Sequence, residues 1–146
     1  MATSYDKFAK YFLYKIKEYS FAEMLPEVRI DMVDTYMRMA VSEFEEICTT
    51  HNLAKRDECD RSFDEDIPDI IVNIVSDGMV KFWLRQYVFN PHNLENYLNT
   101  RDFTLAASPA NVLKEVRETY ELMAKTFTQG MREYSYRTGD LTSLHM

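Results

Sequence analysis

The stretch from Ser108 to Gly139 constrains the fold of this chain most. Ser108 can cap a helix, and Pro109 would occupy its first position, where the missing N–H is one that lacks an intrahelical partner anyway. The helix predicted from there runs for nearly thirty residues and ends at Gly139, which can take the left-handed turn that stops a helix. Val112, Leu113, Val116, Tyr120, Met123, Phe127, Met131 and Tyr134 recur along it as one apolar stripe. A short tail follows, with leucines at 141 and 144. A long capped helix followed by an apolar-tipped tail suits docking onto another subunit better than holding a substrate.

The rest of the chain reads the same way. Ser4 can cap a first helix to about Tyr19, with Tyr5, Phe8, Phe12, Leu13 and Ile16 on its inner face. A second is predicted from near Pro26 to about Thr49, striped by Ile30, Val33, Met37, Ala40, Val41, Phe44 and Ile47, with Asp31, Asp34, Glu45 and Glu46 largely off the stripe. A third begins at Pro68, capped by Asp66 or Ile67, and runs to about Phe89. It has few polar faces and should be central; Gly78 inside it costs about 1 kcal/mol relative to alanine, a cost usually tolerated for close helix contact or a slight bend. Asn90-Pro91 stops it, and a short fourth helix is expected over 92–98. No alternating run argues for a sheet. The expected fold class is all-α: a single-domain helical bundle of about four to five helices, with a long C-terminal helix and a short extended C-terminal tail. The bundle would span 1–138 and the docking tail 139–146.

At 146 residues the chain can bury a real core, and 46% hydrophobic residues with three glycines suit a compact helical protein. The most apolar stretch, 67–90, is interrupted by Asp69, Asp77, Lys81 and Arg85, so no membrane span is expected; the N-terminus has no secretory-signal pattern. The net charge of −7 is uneven: residues 1–20 carry +2, residues 21–54 carry −5, residues 55–69 carry −4, and the remainder balances. Without a basic footprint, direct DNA binding is disfavoured. Cys48, on a helix face, and Cys59, in a charged loop, are expected to stay reduced, as in an intracellular protein.

No motif for catalysis stands out. The acidic run Asp57, Glu58, Asp60, Asp64, Glu65, Asp66 and Asp69 lacks the central glycine and the ligand spacing of a helical calcium loop, so residues 50–66 are expected as a solvated loop, with Leu53 and Phe63 as its anchors. His51, His92 and His145 are scattered, and Glu43, Glu45 and Glu46 have no ExxH partner, so no metal site is expected. Neither Ser76 nor Cys48 has a flanking nucleophile signature, and three glycines supply no phosphate loop; no enzyme and no cofactor are expected. Six of the ten tyrosines (Tyr5, Tyr11, Tyr14, Tyr19, Tyr134, Tyr136) lie near the two ends of the chain. If the first and last helices meet, those rings share one region, as an interface or as plain aromatic packing.

Residues 67–146 resemble the head–tail connector proteins of tailed bacteriophages, the neck adaptors or head-completion proteins. The resemblance rests on an ordered set of stretches. An Ile-rich helix runs into Gly78-Met79-Val80 and Phe82-Trp83-Leu84. Leu98-Asn99-Thr100 with Asp102-Phe103 leads to Ser108-Pro109-Ala110-Asn111 and a leucine-led helix. Tyr134-Ser135-Tyr136 is followed by Gly139-Asp140-Leu141-Thr142-Ser143-Leu144. The first half of the chain agrees only in helical pattern.

The resemblance implies a virion protein of the neck, assembled in the host cytoplasm. It would form a ring of about twelve copies beneath the portal, extend the DNA channel and give the next neck or tail protein a docking surface. DNA would be transiting cargo. The C-terminal segment commonly reaches the portal, which maps here onto Tyr136 to Met146, with Tyr136, Arg137, Asp140, Leu141 and Leu144 as candidate docking residues. The acidic loop residues Asp57, Glu58, Asp60, Asp64 and Glu65 are candidates for a channel-facing or partner-facing surface. Ring closure needs two different faces, and the charge distribution suggests that Lys7, Lys10 and Lys15 of the first helix meet the acidic second helix of a neighbour. The rival expectation is a small helical regulatory module with a groove for one protein partner and no ring.

Overall fold

The computed structural model describes residues 3–19, 25, 28–48, 53, 56–57, 59–90, 92 and 109–138. Four helices dominate: α1 (Tyr5–Ile16), α2 (Ile30–Ile47), α3 (Asp69–Phe89) and α4 (Pro109–Thr138). They form the expected all-α bundle, and α4, at 30 residues, is about 45 Å long. The short helix expected over 92–98 lies, apart from His92, outside the described residues, as do residues 139–146.

Two helix starts have a local cause. Ser4 is extended and its hydroxyl accepts the Asp6 N–H at 3.1 Å, capping α1 as the sequence predicts. At α3 the cap is Pro68 itself, rather than Asp66 or Ile67. No side chain caps it, and the Pro68 carbonyl instead receives the N–H groups of Ile71 and Val72. The second helix begins at Ile30, later than the Pro26 start expected, and Ile30 and Ile47 at its two ends are 52% and 38% exposed rather than part of the core stripe.

α3 is buried nearly all round, and the other three helices pack on it. The tightest approach is at Gly78. A Cβ there would lie 2.6 Å from the Phe127 ring of α4, so glycine is what lets that ring sit against the α3 backbone. Phe127 is fully buried, a burial that contributes about 1.5–3 kcal/mol. On the opposite side Trp83 is buried edge-on to Phe12 of α1, with ring centroids 6.0 Å apart. Lys81 ties α3 to α2 through both carboxylate oxygens of Glu43, at 2.9 and 3.1 Å, and its ammonium lies 4.8 Å from the Phe82 ring centroid.

Two expectations need correction. A small antiparallel sheet is present, in the order β1-β3-β2, made of β1 (Thr3–Ser4), β2 (Arg56–Asp57) and β3 (Ser62–Phe63). Strands of two residues are too short for alternation to register in a sequence. Part of the loop expected over 50–66 is therefore a hairpin, anchored by buried Leu53 and Phe63 as predicted. The Thr3 hydroxyl accepts the Ile67 N–H at 2.8 Å and fixes the entry to α3. Nor do the terminal helices bring their tyrosines together: among the described residues α1 and α4 share no substantial interface, because both pack on α3. Tyr5 instead packs on Phe63, and Tyr134 on Phe44.

Candidate functional site

Three surfaces carry the residues singled out in the sequence. The first is the C-terminal end of α4. Its inner stripe is buried through Met131 and Tyr134, while Tyr136 lies on its outer face, 67% exposed, with Arg137 exposed beside it. Arg137 lines a surface groove of about 380 Å³ between α3 and α4, whose floor includes Ile70, Asn73 and Asp77. Among the described residues Arg137 makes no ion pair. Asp140, Leu141 and Leu144 lie outside the described residues.

The second surface is a groove of about 790 Å³ between α1 and α3, lined by Lys7, Lys10, Tyr11, Tyr14, Lys15, Glu18, Asp69 and Asn73. Two of its lysines are committed within the chain. Lys7 pairs with Asp69 at 2.5 Å, and Lys15 pairs with Asp77 at 2.6 Å while donating to the Asn73 carbonyl at 2.8 Å. These pairs bind α1 to α3. Lys10 is exposed, and among the described residues it makes no ion pair. Of the three lysines expected to face a neighbour, Lys10 is thus the one whose charge is uncommitted. The second helix is similarly occupied: Asp31 pairs with Arg29, Asp34 with Arg61 and Glu43 with Lys81.

The third surface is the acidic hairpin. Asp57, Asp60 and Asp64 are exposed and Glu65 is half-buried; Glu58 lies outside the described residues. Asp57 shapes the tip, its carboxylate accepting the N–H groups of Cys59 at 2.9 Å and Asp60 at 3.3 Å. Below the tip sits a clasp that the sequence reading missed. The Arg61 guanidinium grips Asp34 of α2 in a two-pronged contact, at 2.7 and 2.8 Å, and gives a third hydrogen bond to Asp6 of α1 at 2.9 Å. Its backbone takes a left-handed φ of 51°, uncommon for a side-chain-bearing residue, and its carbonyl accepts the Tyr5 N–H at 2.8 Å. Asp34 pushes the Arg61 pKa further up, so the guanidinium stays charged at every accessible pH. Asp34 is not off the stripe as expected but 7% exposed. Its position three residues before Met37 and seven before Val41 places it on the buried face, and that spacing was the available signal.

The remaining chemistry is sparse. Among the described residues no group of three or more His, Cys, Asp or Glu side chains converges to hold a metal ion. Cys48 is buried with its sulfur 3.3 Å from the Met131 carbonyl, and burial pushes its thiol up to about 11, which keeps it protonated and poorly nucleophilic. Cys59 is exposed at the hairpin tip. Among the described residues no helix is long and apolar enough to cross a membrane. No family model, curated protein or solved structure matches the chain.

Proposed function

We propose that this chain is a neck adaptor of a tailed phage: a structural virion protein that joins portal to tail, lengthens the DNA channel and performs no catalysis. The observation that carries the reading is the exposed Tyr136–Arg137 pair at the end of α4. After a stripe buried through Tyr134, Tyr136 and Arg137 stand exposed at the start of the segment that the resemblance assigns to the portal. An exposed aromatic beside an arginine with no ion pair among the described residues is the composition of an interface anchor. The tail anchors on the portal, lateral contacts close the ring, and apolar burial drives both, less the entropy of ordering the tail. Copies carrying −7 each present DNA with a wall that repels it, so it slides through.

The test is co-sedimentation with the cognate portal ring, using the full chain and one truncated after Thr138. Binding that truncation abolishes supports both the adaptor role and the C-terminal anchor. Binding that survives truncation moves the docking surface to the bundle. No binding by either form, with the portal intact, contradicts the proposal. The rival regulatory module draws on one observation, the groove between α1 and α3. It expects a single protein partner bound there and no ring.

A further inference from the structure

We infer that the groove between α3 and α4 is a seat for the chain's own tail, residues 139–146, which occupies it until a partner draws it out. The groove, of about 380 Å³, runs along α4 from Arg137 back to Thr126, about 16 Å of helix. Its floor is an apolar strip that the bundle leaves uncovered. α3 is buried nearly all round, yet Ile70 in its first turn is 42% exposed. One turn on, Gly130 of α4 sets no side chain over Ile74, where a Cβ would stand in ordinary contact at 3.5 Å.

Charge does not choose the occupant. Lys15 holds Asp77, and Glu133 and Arg137 offset each other at the rim, so the groove favours neither an acidic nor a basic partner. Connectivity does choose. α4 delivers the chain to the mouth of the groove, since Arg137 lines it and Thr138 ends the helix. Gly139 can take the left-handed turn that sends the chain back along α4. From Thr138 to Ser143 the backbone then reaches about 16 Å, the length of the groove. Leu141 and Leu144 supply apolar groups for Ile70 and Ile74, and Asn73 and Thr126 offer hydrogen-bonding side chains to the backbone between them. A tethered segment also meets its seat at an effective concentration on the order of millimolar, which an untethered partner must exceed. The inference rests on the adaptor reading for one consequence. Portal and groove compete for the same leucines, so the anchor is withheld until the portal takes it.

Disulfide trapping tests the seat in the full chain carrying Cys59→Ser, whose remaining thiol, Cys48, is buried. Ser143→Cys is paired with Thr126→Cys, at the far end of the groove, or with Lys125→Cys, its neighbour in sequence on a different surface of α4. Under diamide a seated tail should close the 143–126 bond at least about tenfold faster than the 143–125 bond. Gly130→Leu fills the groove and should erase that difference. Truncation after Thr138 should shift the methyl NMR signals of Ile70 and Ile74 and leave that of Ile30, at the start of α2, in place. Equal closure rates, a difference that survives Gly130→Leu, or unmoved Ile70 and Ile74 signals would each overturn the seat. Bonds that join two chains would do the same, by giving the groove to a second copy. Portal rings should slow the 143–126 closure, and portal binding that leaves it unchanged rejects the competition. Portal binding lost on truncation, with equal closure rates, rejects the seat and keeps the adaptor, whereas selective closure in a chain that binds no portal does the reverse.

Discussion

The α3–α4 seam and the hairpin corner are held together by different physics. At the seam, the Phe127 ring fills the space that the absent side chain of Gly78 leaves open, and the Lys81 ammonium lies 5.7 Å from the ring centroid. At the corner, a half-exposed arginine gathers two carboxylates from two helices onto a hairpin with strands of two residues. The seam depends on shape, so it tolerates salt and fails when volume changes. The corner depends on charge geometry and fails when a partner is removed. The difference leaves a long helix fastened by apolar shape and a small polar tip fastened by charge.

The largest effect should come from the seam. Phe127→Ala should lose about 3–5 kcal/mol in chemical denaturation, from lost burial and the cavity left behind. Gly78→Ala should also destabilise, because the new methyl group meets that ring. In the Phe127→Ala background the same change should turn neutral or stabilising, since alanine is the better helix former by about 1 kcal/mol. Additive losses would mean that the ring does not explain the glycine.

The corner should cost less. Arg61→Ala should lose about 2 kcal/mol, the scale of hydrogen bonds to a charged group, because it leaves Asp34 buried without its partner. Arg61→Gly should lose somewhat less, since glycine accepts the left-handed backbone without strain. Equal losses would show that the positive φ stores no strain.

Alkaline pH should separate the regions most gently. The Cys48 thiol, packed near Met131 of α4, ionises only near 11 in the fold, against about 8.5 in an unfolded chain. Between those values the unfolded chain binds fewer protons, so this contribution to stability is whole below about pH 8.5 and is lost by up to about 1.4 kcal/mol per pH unit until pH 11. Burial raises Tyr36 in the same direction, although a hydrogen bond from Gln86 opposes it. Arg61 does not titrate in this window. Cys48→Ala should therefore flatten the decline of stability with pH, and Arg61→Ala should leave its slope unchanged.

The sequence was a good guide to the seam and a poor one to the corner, for physical reasons. Apolar spacing along α3 and α4 repeats over many turns, so exposed apolar residues such as Ile70 and Leu122 do not hide the pattern. The corner is built from residues far apart in the chain: Asp6, Asp34 and Arg61. No local period links them; the nearest signals were an aspartate on the buried face of α2 and a lone arginine among carboxylates. Grouping lysines 7, 10 and 15 by charge likewise could not reveal that two of them face α3 carboxylates.

The docking role is tested most directly by the affinity of portal rings for the intact chain and for Tyr136→Ala with Arg137→Ala. Both side chains are exposed, so the variant should keep its stability to within about 0.5 kcal/mol per site. An anchor at the end of α4 predicts that portal affinity falls at least about tenfold, the equivalent of 1.4 kcal/mol. Unchanged affinity in a variant that remains folded would contradict docking through this end of the molecule.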